Sequence, residues 1–226
     1  VNSPVLAGNE KKYLNECIDT SWISSEGPFV KKFENNMASY IGRKYATACS
    51  NGSAAIDIAV RALELKAGDE VIMPTFTIIS CAQSLVNHGV MPVLIDSDYR
   101  TFNINVEEIE SKITSKTKAI MIVHIFGLTT DIDPLIAIAK KHNLKIIEDA
   151  AEALGSYKHG KHAGCFGQCG ALSFNGNKII TTGGGGAVIT NDSDLATIIR
   201  HLATTAKLPH RYEYNHDRQG FNYRMP

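Results

Sequence analysis

The sequence predicts an α/β fold, a mostly parallel sheet covered by helices on both faces, and three observations carry that expectation. Short apolar runs alternate with amphipathic stretches from Lys44 to Leu202. The strand candidates are continuously apolar, as strands buried on both faces are. Polar or chemically active residues stand at the ends of those runs: Gly52 and Ser53, Thr75 to Ile78, His124, and Asp149. Open parallel sheets collect their ligands at that edge.

In chain order, Gly8 to Thr20 carries Tyr13, Leu14, Cys17 and Ile18 at helical spacing. Ser21 to Gly27 breaks the pattern and holds the only tryptophan, Trp22, either a staple between helices or a ligand-facing ring. Pro28 is well placed to open a second helix, running to about Ile41. Tyr45–Cys49 reads as a strand, Ala54–Leu65 as a helix, and Val71–Met73 as a strand stopped by Pro74. Helices follow at Thr77–Asn87, Val106–Ser111, Pro134–His142 and Asp194–Leu202, with strands at Val93–Ile95, Ala119–Ile125, Lys145–Ile147 and Ala171–Phe174. Residues 209–226 show no period. The expected division is an N-terminal helix and arm, 1–27, followed by one large domain, 28–226.

Composition narrows the function classes. The chain has 226 residues, 44% of them hydrophobic, enough for a sizeable core. Lys plus Arg equals Asp plus Glu at 23 each, so no basic field points to nucleic acid or to a membrane surface. No apolar run approaches the ~20 residues of a membrane span, and no signal-peptide core opens the chain. Val1 is not an initiator methionine. Five cysteines in no paired framework fit a reducing, cytoplasmic setting.

The chemistry centres on Ser173 to Lys178, a polar turn after a buried strand, followed by Thr181, Thr182 and the run Gly183–Gly186. Lys178 is either an exposed turn lysine or a partly desolvated amine suited to Schiff-base formation. Ser50 to Ala55 opens a helix, so the backbone of Gly52, Ser53 and Ala54 either cradles an anion or surrounds an ordinary Ser cap. Asp149 ends a strand among Ile146, Ile147, Ala150 and Ala151, where a carboxylate needs a partner. That partner is either a protonated pyridine nitrogen or a structural contact. His159, His162, Cys165 and Cys169 can all ligate zinc, but their spacing fits no common zinc module, and no metal is expected.

Together, Glu148-Asp149-Ala150-Ala151-Glu152-Ala153, Ser173 to Lys178, the Thr-Thr-Gly-x-Gly-Gly after it, and Ser50 to Ala55 resemble the DegT/DnrJ/EryC1/StrS aminotransferases. Trp22 to Ser25, Pro74 to Thr77, Val123 to Gly127 and Gly220 to Met225 match as well. The resemblance implies a fold-type I large domain binding pyridoxal 5′-phosphate (PLP). It implies transfer of an amine from L-glutamate to a nucleotide-linked 4-keto-6-deoxy sugar of the perosamine type, for bacterial O-antigen and lipopolysaccharide. Lys178 would hold the cofactor and shuttle the proton, Asp149 would pair the pyridinium, and Glu152 would lie near the ring hydroxyl. Ser173, Gly52, Ser53 and Ala54 would bind the phosphate, with Ile78 on the ring face where the family has an aromatic. Asn222 would reach the partner's cofactor in a homodimer with shared sites. Gly184 replaces a usual glutamate, Gln168 a common aspartate, and Pro226 a Thr or Ser. The family's C-terminal small domain is expected to be missing from this chain. The competing reading is a non-catalytic homologue, or inactive fragment, that binds PLP or a sugar nucleotide.

Overall fold

The computed structural model describes residues 3–225, so Val1, Asn2 and Pro226 lie outside it. Two helices come first, α1 (Glu10–Asp19) and α2 (Pro28–Ile41). Pro28 starts α2 with a preset φ and no N–H to leave unpaired. Gly42, at φ +80°, closes it in the left-handed region and donates to the Ala38 carbonyl. α2 buries Met37, Ala38 and Ile41, whereas α1 buries nothing and leaves Leu14 and Ile18 exposed. Trp22 is half exposed in the break between the two helices.

The alternation predicted after Lys44 follows: β1 (Tyr45–Cys49), α3 (Gly52–Ala62), β2 (Glu70–Pro74), α4 (Ile79–Asn87) and β3 (Met91–Ile95). Then come α5 (Val106–Ile109), which tightens into a 3-10 turn through Lys112, β4 (Thr117–Val123), α6 (Ile132–Lys141) and β5 (Lys145–Asp149). A small hairpin that the sequence pattern does not announce, β6 (Tyr157–Lys158) with β7 (Lys161–His162), precedes β8 (Cys169–Ser173), β9 (Gly186–Thr190) and α7 (Ser193–Ala203). Each of its strands has two residues, too few for any hydrophobic period to register.

Seven strands form one sheet in the order β1-β9-β8-β5-β4-β2-β3. β9 pairs antiparallel with both β1 and β8, so it alone runs against the other six. Alternate residues of each strand point to opposite faces. Val71, Met73, Met121 and Ile147 pack in one core layer with residues of α3, α4 and α7. Ile72, Ile120, Ile122 and Ile146 pack in a second layer with residues of α5 and α6, and Leu172, Ala187 and Ile189 pack with α2. Both faces are therefore covered, which is why the strands read as apolar throughout.

Candidate active site

Register brings the strand ends level. Gly186 at the start of β9 lies opposite Cys49, the last residue of β1, and Ser173, the last of β8. On β5, Asp149 aligns with Ala171 of β8 and Val123 of β4. A pocket of about 560 Å³ opens over this edge. Gly52, Ser53, Ile78, Asp149, Glu152, Ser173 and Lys178 all line it, so seven of the nine residues singled out in the sequence converge. Ala54 and Asn222 do not reach it.

The helix start shows why Ala54 stays outside. The cap is Asn51 rather than a serine: its side-chain Oδ1 accepts the Ala54 N–H at 2.8 Å, using up that donor. The N–H groups of Gly52 and Ser53 have no partner among the described residues, and the helix dipole favours an anion in front of them. The fit is close: a Cβ on Gly52 would stand 2.8 Å from the Ser173 Cβ, and one on Gly186 would strike the Asn51 carbonyl. Ser53 Oγ lies 2.6 Å from Ser80 Oγ, adding hydroxyls to the same wall.

Asp149 is buried, 3% exposed, and has no cationic partner within salt-bridge distance among the described residues. Its Oδ1 accepts the Ala151 N–H at 3.0 Å and its Oδ2 accepts from the Cys81 thiol at 3.3 Å. Burial pushes the carboxyl above its ordinary range, while those two hydrogen bonds and the positive charge of Lys178 pull the other way. Lys178 sits in a loop closed on Phe174, whose backbone bonds to Gly185 and Thr182 and whose carbonyl takes the Thr181 hydroxyl. Its Nζ lies 3.3 Å from Glu152 Oε1, and Glu152 Oε2 accepts the Phe126 N–H at 3.0 Å. The lysine side chain is 18% exposed, so it turns inward rather than into solvent.

Next to Asp149, buried Glu148 organises the loop between β7 and β8. Its carboxylate accepts the N–H groups of Gly164, Phe166 and Gly167 at 2.8, 2.6 and 2.5 Å, and lies 3.0 Å from His124 Nε2. The Thr130 N–H donates to His124 Nδ1, so the imidazole proton is on Nε2 and points at Glu148. Three of the four potential zinc ligands are occupied otherwise. His159 pairs with Asp133, His162 accepts the Gly155 N–H, and Cys165 bonds the Ile41 carbonyl. Among the described residues no group of three His, Cys, Asp or Glu is placed for a metal ion. Gln168, at a departure from the family pattern, accepts the Ile146 N–H through its side chain and donates its own N–H to the Ile146 carbonyl.

Asn222 is exposed on the C-terminal tail, where its Oδ1 accepts from Arg224 at 2.8 Å. Sequence reasoning missed Cys81, Glu148 and the aromatic rim of Phe76, Phe102 and Phe126, with ring centroids 5.4 and 6.3 Å from Phe76. Thr77, just before α4, and Cys81 in its first turn are four residues apart and were the available signal for the first.

Residues 4–226 match the DegT/DnrJ/EryC1/StrS aminotransferase family. This chain belongs to that family. GDP-perosamine synthase of Caulobacter vibrioides is 49% identical over 225 residues, 100% of this chain and 60% of that protein. GDP-perosamine synthase of Escherichia coli O157:H7 is 47% identical over 225 residues, 100% of this chain and 62% of that protein. The crystal structure of NtdA from Bacillus subtilis with bound cofactor PMP superimposes with a TM-score of 0.87 at 32% identity, over 95% of this chain and 48% of that one. The chain thus spans about 60% of the length of the curated relatives it matches. The mostly parallel sheet presents the candidate residues at one edge. Among the described residues no helix is long and apolar enough to cross a membrane.

Proposed function

We propose that this chain is the PLP-binding portion of a cytoplasmic nucleotide-sugar aminotransferase. It would take its amine from L-glutamate and give it to a nucleotide-linked 4-keto-6-deoxy sugar destined for surface polysaccharide. The single observation that carries the reading is the convergence of Lys178, buried Asp149 and the unpaired Gly52 and Ser53 amides on one pocket. The donor set fits the cofactor: amides and hydroxyls suit a dianionic phosphate, and a buried carboxylate without a cation suits a pyridinium. The sugar class rests on the likeness to GDP-perosamine synthases.

PLP, when bound, supplies an electron sink that makes a carbon acid of the bound amine. The chain supplies the rest. Gly52, Ser53 and Ser173 hold the phosphate, and Ile78 packs on the ring. Asp149 keeps the ring nitrogen protonated, and Glu152 orients Lys178 near the ring hydroxyl. Lys178 Nζ takes the proton from glutamate Cα in one half-reaction and delivers one to the sugar C4 in the other. Asn222 serves the phosphate of the partner in a homodimer. The N-terminal segment 1–27 acts as an arm on a large domain, 28–226.

The test is an absorbance titration with PLP, then addition of glutamate and a 4-keto-sugar nucleotide. A visible cofactor band that glutamate discharges with release of 2-oxoglutarate supports the reading. A band that glutamate leaves unchanged would instead assign a non-catalytic homologue.

A further inference from the structure

Cys81 is fully buried in the first turns of α4, and its sulfur has two polar contacts. The Thr77 hydroxyl donates to Sγ at 3.4 Å, and Sγ lies 3.3 Å from Asp149 Oδ2. A thiol has one proton. With its acceptor side filled by Thr77, and with an ionised carboxylate able only to accept, that proton points at Asp149. We propose that Cys81 is a positioning residue, its thiol donating to Asp149 Oδ2 so that the carboxylate stays ionised and aimed at the cofactor's ring nitrogen.

The inference rests on the PLP reading above and deepens it. Oδ1 is anchored by the Ala151 N–H and Oδ2 by the thiol, so both oxygens, and with them the carboxylate plane, are fixed from the protein side. A hydroxyl or amide there would also donate, but a thiol does so on an otherwise apolar wall shared with Leu85 and Ile147. Burial, then the neighbouring carboxylate charge, pushes the Cys81 thiol well above its ordinary value, so it remains a donor throughout the working pH range. The charged and titratable groups facing Asp149 are Cys81 on α4, Lys178 in the loop after β8 and His124 after β4. Of these, only Cys81 bonds it directly among the described residues, alongside the backbone N–H of Ala151.

Cys81→Ala removes the donor, and Cys81→Ser restores one on a side chain of similar size. Two readings on the intact chain decide the matter, with melting curves to verify folding. The first is the pH titration of the Asp149 carboxyl carbon by ¹³C NMR without PLP, assigned by its loss in Asp149→Asn. The second is PLP affinity as a function of pH. In Cys81→Ala the carboxyl midpoint should move to higher pH, and PLP affinity below neutral pH should fall roughly two- to tenfold. Cys81→Ser should return both toward the wild type. An Ala titration superimposable on the wild type, or equal shifts in Ala and Ser, would make Cys81 mere packing and overturn the proposal. The carboxyl shift without any PLP binding by the wild type would retain the hydrogen bond but sink the cofactor reading.

Discussion

The Tyr223 carbonyl accepts the Ser50 N–H at 2.8 Å, so the far end of the chain pins the turn that opens α3. The same tyrosine donates its hydroxyl to Asp57 Oδ2 at 3.2 Å, and its ring stacks on Phe221 at 4.9 Å. Asp57 Oδ1 meets His88 Nε2, whose Nδ1 meets Arg61. The tail is thereby strapped across α3 and the end of α4, two residues from the Gly52 amide. Burial, followed by the Asp57 charge, raises the Tyr223 phenol, which keeps it a donor. Tyr223→Phe should cost about 1 kcal/mol of stability, the usual net worth of one hydrogen bond. Ser50 amide exchange should quicken in the same variant. Unchanged exchange would mean that the strap does not hold the turn.

Lys178 gives the most direct prediction. Lys178→Ala should remove the visible band of bound PLP, and Lys178→Arg should do the same, because a guanidinium stays protonated and cannot condense with an aldehyde. The chain should stay folded, since only one partly exposed ion pair, with Glu152, is lost. A band surviving in either variant would assign the cofactor to another lysine.

Asp149 predicts opposite effects on stability and chemistry. Its carboxyl is raised in the folded protein by burial, so between its ordinary value and the raised one the folded state binds more protons than the unfolded state. Stability without cofactor should therefore fall as pH rises through that window. Asp149→Asn should flatten the fall and leave the chain more stable at neutral pH, as when an unpaired buried charge is removed. The same change should slow the glutamate half-reaction by several kcal/mol of barrier, on the order seen when a buried charge partner is lost. Denaturant midpoints from acid to neutral pH, with single-turnover kinetics, check both halves.

Glu148 carries a purely structural prediction. Removing its carboxylate strands three backbone N–H groups, and the Arg43 guanidinium loses a charge 3.9 Å away. Glu148→Ala should cost about 3–5 kcal/mol, the range for breaking a buried charged network. Glu148→Gln should recover only part of that, because its amide nitrogen would face donors. The urea midpoint reads the difference.

Much of this was legible because local chemistry and tertiary need coincide. Helix α2 has its foreseen bounds because Pro28 and Gly42 punctuate it, and β1 runs from Tyr45 to Cys49 as read. Asp149 stood out because a carboxylate among isoleucines and alanines demands a partner. Where partners lie far apart in sequence, nothing local announces them. Glu148 meets Gly164 to Gly167, and Cys81 meets Asp149 across 68 positions. The Asn51 cap was legible in kind but assigned to the neighbouring serine, since Asn and Ser cap equally well. The reversed direction of β9 depends on the sharp return through Gly183 and Gly185, both at positive φ, and strand composition carries no direction.

The last prediction concerns assembly. Asn222 is exposed and does not line its own pocket, held instead by Arg224 and by a bridge to Thr204. At the pocket, Phe126 and Ile78 are each more than half exposed, as are Ile79 and Ile179 next in the chain to the lining residues Ile78 and Lys178, apolar surface of the kind that pairs proteins. If Asn222 of one subunit completes the phosphate site of the other, cofactor binding and dimerisation are linked, and PLP affinity must rise with protein concentration. Asn222→Ala should then weaken PLP binding in the dimer by roughly two- to tenfold, the worth of one hydrogen bond, while leaving monomer stability unchanged. Mixing Asn222→Ala with Lys178→Ala subunits separates the arrangements. In a shared site, the mixed dimer's Lys178-bearing pocket receives Asn222 from the Lys178→Ala subunit and regains wild-type affinity. Sedimentation across a concentration series, with and without PLP, gives the association constant. A monomer binding PLP tightly at every concentration would end the shared-site reading.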